Sequence, residues 1–301
     1  MNEKMMKDLH NLCDFNPKYY NFPGSLPVSL SKNDLKFLKR NYTVCDKTDG
    51  SRYFLFGFDK NMYFVDRLMN VYYLGKTEYN NFVYDGELVN NKYNDNKWYY
   101  VIFDVFCHNN KVVKDVPNHE SRITCIMNKH PKKCVSGKNE LIITVKRFYL
   151  TKDINSCIKN VYNYEYKTDG YIFTPIYRKI FNGTDKRTYK WKNGTDHTID
   201  FELQRDGKIY LWNNKSEKIC IGILGFDDSN IIECEKIKDG DIPFIVECKF
   251  VFKVDEGDSQ WIFIKHRVDK NRPNSMKTYL STINVINENI TEEDLNFNLS
   301  Y

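Results

Sequence analysis

Lys47 and Arg52 bracket an Asp49-Gly50 pair in the stretch Lys47-Thr48-Asp49-Gly50-Ser51-Arg52. A lysine amine acts as a nucleophile once burial or a neighbouring cation lowers its pKa. Arg52 supplies such a cation, and its planar fork suits the sugar or phosphate of a nucleotide. Tyr42-Thr43-Val44-Cys45 before the stretch and Tyr53-Phe54-Leu55-Phe56 after it have strand character. Asp-Gly is a turn dipeptide, because Gly accepts positive φ and Asp can bond its own backbone. The two cations are therefore expected on either side of a tight connection between adjacent strands. The same residues also describe a solvated hairpin turn with solubilising charges, and the stretch alone supports both readings.

At 301 residues the chain is long enough for two domains. Its many Tyr, Phe, Ile and Val residues lean toward strands. A net charge of +5 suits local contact with phosphates and argues against a protein dedicated to coating duplexes. Basic residues cluster at Lys186-Arg187…Lys190…Lys192 and at Lys265-His266-Arg267…Lys270…Arg272. The nine cysteines include no C-x-x-C pair, which excludes the common zinc frameworks and points to reduced thiols in an intracellular protein. The polar N-terminus is not expected to be a signal peptide, and no apolar run is long enough for a membrane helix.

Residues 1–20 read as a short polar helix or an extended arm. Ser31 is expected to cap a short helix through Leu35, Phe37 and Leu38. Short strands follow from Tyr42 to Val89 and again at 98–104. Asp85-Gly86-Glu87-Leu88 reads as another Asp-Gly turn with a carboxylate just after it. Residues 119–160 are expected to be mostly helical and surface-facing, apart from a strand at Leu141–Val145. Lys167-Thr168-Asp169-Gly170 repeats the opening residues, read as the same hairpin grammar used twice. In Lys190-Trp191-Lys192 the period of two puts both lysines on one strand face. Beyond Thr198-Ile199-Asp200-Phe201, short strands at 209–212, 220–224, 231–235, 244–254 and 261–265, with turns at Asp206-Gly207 and Asp239-Gly240, suit a small β-barrel. Thr291-Glu292-Glu293-Asp294 should open a C-terminal helix.

Taken in order, K-T-D-G-S-R (47–52), D-G-E-L (85–88), V-I-F-D (101–104), T-D-G-Y-I-F (168–173), K-W-K (190–192) and R-V-D-K-N-R-P-N (267–274) form a pattern across almost the whole chain. It resembles the covalent nucleotidyltransferase superfamily of mRNA capping guanylyltransferases and polynucleotide ligases. The likeness is strongest to the compact stand-alone capping enzymes of large DNA viruses such as the chlorella viruses. The Thr-Ile-Asp-Phe segment and the R-x-D-K closing motif favour a GTP-using capping enzyme over a ligase. The alternatives are an ATP-dependent RNA or DNA ligase, and an inactive nucleic-acid-binding OB-fold module.

The resemblance implies an α+β chain, with a nucleotidyltransferase domain of antiparallel sheets and flanking helices at 1–198 and an OB-fold barrel at 199–290. It also implies a C-terminal helix at 291–301 packing back on the first domain. It assigns Lys47 as the nucleophile that takes GMP from GTP and passes it to the 5′-diphosphate end of RNA. It places Arg52 and Glu87 on the ribose, Arg67 and Lys192 on the α-phosphate, and Phe103 on the guanine face. Lys146 would meet the guanine edge, and Asp169 and Lys190 would complete the phosphate site. A divalent ion, Mg²⁺ or Mn²⁺, would be held through Glu87 and Asp169. Arg267, Asp269 and Lys270 are expected to meet the β- and γ-phosphates as the barrel closes. RNA triphosphatase and cap methyltransferase activities are expected from separate chains, in the nucleus or in virus-infected cytoplasm.

Overall fold

The structure is a computed structural model that describes residues 3–16, 22–79, 81–193, 197–213, 217–224, 244–253, 258–267 and 270–299. In chain order the elements begin with helix α1 (Glu3–Cys13), strand β1 (Ser25–Ser29), helix α2 (Leu35–Leu38) and strands β2 (Tyr42–Thr48) and β3 (Ser51–Phe58). Next come β4 (Asn61–Val65), β5 (Val71–Lys76), β6 (Phe82–Asn90), β7 (Lys97–His108) and β8 (Lys111–Val112). Helix α3 (His119–Thr124), β9 (Lys133–Ser136), β10 (Asn139–Val145), β11 (Tyr149–Leu150) and helix α4 (Ile154–Val161) lead to β12 (Thr168–Pro175) and β13 (Gly183–Trp191). The remainder is β14 (Thr198–Leu203), β15 (Lys208–Trp212), β16 (Lys218–Ile223), β17 (Ile245–Lys253), β18 (Asp258–His266), α5 (Met276–Glu288) and α6 (Glu292–Leu299). Two compact units result, 1–191 with 293–301, and 192–292.

The first unit holds two sheets, ordered β1-β13-β12-β2-β11 and β5-β4-β3-β6-β7-β10-β9, with β8 on β7. β2 and β3 are consecutive in the chain yet lie in different sheets, so Lys47–Arg52 is a crossing between sheets and no hairpin forms there. Gly50 serves close approach instead of positive φ. A Cβ there would lie 2.5 Å from the Leu88 carbonyl oxygen, while the Asp49 N–H donates to Lys167 O at 2.9 Å. Gly86 is likewise mid-strand in β6, where the Tyr100 ring would lie 2.6 Å from a Cβ. Asp169-Gly170 sits in a bulge of β12, between Thr168 and Tyr171, with Gly170 at φ 141°. Of the Asp-Gly pairs that can be described, Asp206-Gly207 alone makes the expected hairpin turn, with Gly207 at φ 78° between β14 and β15. Asp239-Gly240 and the expected strand at 231–235 lie outside the described residues.

Most strand pairs are antiparallel as expected, but β1–β13 and β7–β10 are parallel. Segment 119–160 departs further from the expectation. The expected strand at Leu141–Val145 forms and pairs with β7, but β9 adds an unexpected antiparallel neighbour, leaving only α3 and α4 as α-helices. α3 is no surface helix either, since His119, Arg122 and Ile123 are buried. α1 buries Met5, Leu9 and Cys13, spaced four apart, into a core with Phe54, Phe56, Val83 and Phe106. Ser31 does open the next helical turn, with its N–H and hydroxyl donating to the Asp34 carboxylate at 3.0 and 2.6 Å.

The second unit carries a five-stranded antiparallel sheet, β16-β15-β14-β17-β18, the strand number of an OB-type barrel. Phe201, Leu211, Val246, Trp261 and Phe263 form its core, and Met276, Tyr279 and Ile283 of α5 pack against it. No element was expected at α5. Its signals are the Ser275 cap, which accepts from Thr278 N–H at 3.2 Å, and apolar residues spaced three and four apart. Among the described residues no helix is long and apolar enough to cross a membrane.

Candidate active site

A cavity of about 150 Å³ in the first unit is lined from both of its sheets. The five-stranded sheet contributes Lys47 on β2 and Ile172 on β12. The eight-stranded sheet contributes Arg52 on β3, Glu87 on β6 and Phe103 on β7. The crossing at Asp49-Gly50 is what lets Lys47 and Arg52, five residues apart, reach one cavity from different sheets.

Lys47 Nζ lies 2.5 Å from Asp169 Oδ1, and both side chains are mostly covered. The β12 bulge brings Asp169 there, because β12 pairs antiparallel with β2 on either side of it. Arg52 forms a two-pronged pair with Asp85, Nε to Oδ1 at 2.9 Å and Nη2 to Oδ2 at 2.5 Å, and its third nitrogen donates to Ser25 O at 2.9 Å. The guanidinium sits over the rings of Phe22 and Phe103, 5.2 and 5.3 Å from their centroids. Gly24, at φ 102°, permits this, since a Cβ would lie 2.6 Å from Arg52 Nη2. Asp85 is 2 % exposed, and burial pushes its carboxyl up to about 6 against the pull of Arg52.

Burial also raises the Glu87 carboxyl, with Lys146, Lys47 and Arg52 opposing. Lys146 is buried and donates to Asp46 O at 2.9 Å, with the Asp46 carboxylate 3.4 Å away. Burial disfavours its charge, but Asp46, Cys45 and Glu87 prevail and hold its pKa above the usual lysine range.

Five of the residues singled out from the sequence therefore line this cavity: Lys47, Arg52, Glu87, Phe103 and Lys146. Asp169 joins them through Lys47. Lys190 pairs with Ile172 across β12 and β13, which puts it on the sheet face that Ile172 and Thr188 present to the cavity. Lys192 follows the end of β13. Arg67 is exposed in the turn after β4 and is not part of the lining. In the second unit Arg267 Nη1 pairs with Asp200 Oδ1 at 3.0 Å, and Lys270 pairs with the other oxygen of Asp200. Asp269 lies outside the described residues.

The lining also contains charged groups that the sequence reading missed. Arg178 pairs with Asp185 at 2.6 Å, and Asp185 accepts from Thr188 Oγ1 and the Arg187 N–H. Arg122 grips Asp104 through Nε and Nη2 at 2.8 and 2.9 Å. His119 contacts the Phe103 carbonyl through Nε2 at 3.0 Å, and burial lowers its pKa. The available signal was a charge at an inward strand position, Asp185 in β13, which needs a partner inside.

The donor set bears on a metal. Among the described residues no three His, Cys, Asp or Glu side chains are grouped to hold an ion. Of the carboxylates lining the cavity, Asp85, Asp104 and Asp185 are tied to Arg52, Arg122 and Arg178, which leaves Glu87, together with Asp169 on the Lys47 amine, for an ion. Mg²⁺ is commonly bound through one or two carboxylates plus substrate phosphates. The residues thus fit an ion that arrives with a nucleotide, not a resident protein-caged metal.

The family "mRNA capping enzyme, catalytic domain" matches residues 1–194, and "mRNA capping enzyme, C-terminal domain" matches residues 179–296. The mRNA-capping enzyme subunit alpha of Schizosaccharomyces pombe is 27% identical over 324 residues, covering 91% of this chain and 79% of that protein. The mRNA-capping enzyme of Mus musculus is 26% identical over 323 residues, covering 97% of this chain and 51% of that protein. A solved mycobacterial DNA ligase D, complexed with ATP and MES, superposes with a TM-score of 0.50 at 14% identity, covering 83% of this chain and 96% of that one. That likeness concerns the fold alone.

Proposed function

This chain belongs to the mRNA capping enzyme family, and we propose from that premise that Lys47 is the nucleophile of its guanylyltransferase activity. The activity is transfer of GMP from GTP to the 5′-diphosphate end of RNA. The observation that carries the assignment is Lys47 on the cavity wall, with Asp169 on its Nζ and Arg52 and Glu87 from the opposing sheet.

In the ion pair the Lys47 nitrogen has no lone pair to give. Attack requires a proton to leave Nζ, and the Asp169 carboxylate is in contact to take it. Lys47 then attacks the α-phosphorus of GTP. A nitrogen–phosphorus bond forms, the bond to the bridging oxygen breaks, and pyrophosphate leaves as the nitrogen sheds a second proton to solvent. In the second step a terminal oxygen of the RNA diphosphate attacks the same phosphorus. The nitrogen–phosphorus bond breaks, the Lys47 nitrogen regains both protons, and the product is a GpppN cap.

Arg52 is fixed by Asp85 and Ser25 and, with Glu87, positions the ribose. Phe103 offers a ring face to guanine and Lys146 a donor to its edge. Lys192 serves the α-phosphate, a role that the exposed position of Arg67 does not support for that residue. Lys190 completes the phosphate site with Asp169, and Arg267, Asp269 and Lys270 serve the departing phosphates. Glu87 and Asp169 would hold a divalent ion brought by GTP, which would neutralise charge on the leaving pyrophosphate. RNA triphosphatase and cap methyltransferase come from separate chains in this reading, and the S. pombe relative's designation as an alpha subunit supports a partner. The reaction would take place where the transcript is made, in the nucleus or in virus-infected cytoplasm.

Incubation with labelled GTP or ATP, a divalent salt and no RNA tests the assignment. A protein–GMP adduct that survives denaturation, is acid-labile and base-stable, and is lost in Lys47→Met is the expected result. Labelling of Lys47→Met, or stronger labelling by ATP as for a ligase, would overturn it.

A further inference from the structure

Beside the active-site cavity, a second groove of about 350 Å³ opens over the ends of β7 and β10. These strands run parallel, with Ile142 opposite Tyr99 and Thr144 opposite Val101, and the ladder continues with the Lys146 N–H donating to Ile102 O. Tyr99, Ile142 and Thr144 line the groove, while Phe103 and Lys146 further along line the cavity. Side chains two apart share a strand face, so Ile142, Thr144 and Lys146 form one row leading from groove to cavity. At ~3.3 Å per residue, Thr144 and Lys146 are separated by only about 7 Å along the strand. Tyr99 and Tyr164 of the groove pack on a small buried cluster of Val89, Val101 and Tyr166, and Glu87 lies two residues before Val89 on β6.

The groove is aromatic and mildly cationic. Tyr164 and Tyr166 stack at 5.0 Å and 24°, and Tyr99 tilts against Tyr166 at 5.5 Å. Arg147 and Asn163 are exposed in the lining. The carboxylate of Glu165 is occupied by Lys97 Nζ at 2.8 Å, Asn91 Nδ2 at 2.9 Å and the Tyr99 hydroxyl, which offsets its charge. Ring faces that accept any base, a cation for phosphate and an amide for base edges are what single-stranded nucleic acid requires. Continuity with the site that must receive an RNA end selects that occupant.

We infer that this groove holds the first nucleotides of the acceptor RNA downstream of its diphosphate end, while that end reaches Lys47 through the adjoining cavity. The inference rests on the guanylyltransferase reading. Tyr164→Ala and Arg147→Ala test it through three readouts: adduct formation with GTP, GMP transfer to a 5′-diphosphate oligoribonucleotide, and transfer to a nucleoside 5′-diphosphate. Adduct formation and KM for the nucleoside diphosphate should be unchanged in both variants. KM for the oligoribonucleotide should rise about five- to hundredfold in Tyr164→Ala, the range for losing a stacked base. In Arg147→Ala the log–log salt dependence of that KM should flatten by about 0.7, one phosphate contact.

Unchanged KM for the oligoribonucleotide in both variants overturns the inference. An equal rise for both acceptors also overturns it, because no contact beyond the first nucleotide would then be involved. Failure of the unaltered protein to form the GMP adduct would instead sink the underlying activity. Should Tyr164→Ala not fold, Arg147→Ala decides, since its side chain is exposed.

Discussion

Acidification should lower the activity of this protein while stabilising its fold through the same side chain, Asp85. Its carboxyl is 2 % exposed and titrates at about 6, raised by burial and held down by Arg52. At pH 7.5 it is almost wholly ionised and fixes Arg52 by two bonds; at pH 5 about a tenth remains ionised. If ionised Asp85 is what positions Arg52 on the ribose, adduct formation should fall about tenfold between those pH values. Stability moves the other way. The folded pKa lies above the unfolded carboxylate value of about 3.9, so the contribution is complete below that value and is lost as pH rises through about 6. Wild type should gain about 1 kcal/mol relative to Asp85→Asn on going from pH 7.5 to 5. Denaturant midpoints at the two pH values, beside single-turnover labelling from GTP across pH 5–8, measure both effects. The reasoning fails if Asp85→Asn keeps an acid limb near 6. It also fails if that limb disappears in Glu87→Gln, because Glu87 is raised by the same burial.

Asp85→Ala leaves the Arg52 cation covered without its partner and should cost about 3–5 kcal/mol of stability, read from the urea midpoint. Lys146→Ala removes the donor on Asp46 O and should narrow the preference for GTP over ATP in competitive labelling, while lowering stability. Gly86→Ala pushes a Cβ against the Tyr100 ring and should cost about 1–3 kcal/mol, visible as a reduced Tm. Arg267→Ala should depress labelling from GTP, while an adduct already formed still passes GMP to diphosphate-ended RNA. Equal loss in both half-reactions would contradict a role confined to pyrophosphate departure.

The residues that share the cavity were more legible than the backbone that brings them together. Lys47, Arg52, Glu87 and Phe103 stand in the ordered motifs, where residue type matched to chemistry is local information, and Lys146 was carried over from the family resemblance outside them. The Asp-Gly pairs show where local information stops. Dipeptide grammar predicts a positive-φ turn, but Gly50 and Gly86 are glycine because Leu88 O and Tyr100 occupy the space of a Cβ. Those neighbours come from other strands, so no window around the glycine contains the reason. The same holds for segment 119–160. Its polar composition suggested surface helices around the Leu141–Val145 strand. That strand forms as expected, but the neighbour it makes for Lys133–Ser136 and the burial of α3 come from partners outside any local window. Arg122 and His119 were missed on the same account, since each is held at the cavity by a partner on β7, Asp104 and the Phe103 carbonyl, while Arg178 is held there by Asp185 on β13.

The arrangement of charges also explains why the two cations cannot be exchanged. The Lys47 amine rests on Asp169, and releasing that contact frees the nitrogen for chemistry. Arg52 makes three hydrogen bonds, two to Asp85 and one to Ser25 O, and releasing any one leaves it oriented by the others. A nucleophile must be able to lose its proton, which a lysine amine can do and a guanidinium cannot. A positioning cation must keep its direction while the substrate turns over, which the planar fork provides and a rotatable ammonium does not. The motif thus places the releasable cation on one sheet and the anchored one on the other. The crossing at Asp49-Gly50 delivers both to the same cavity.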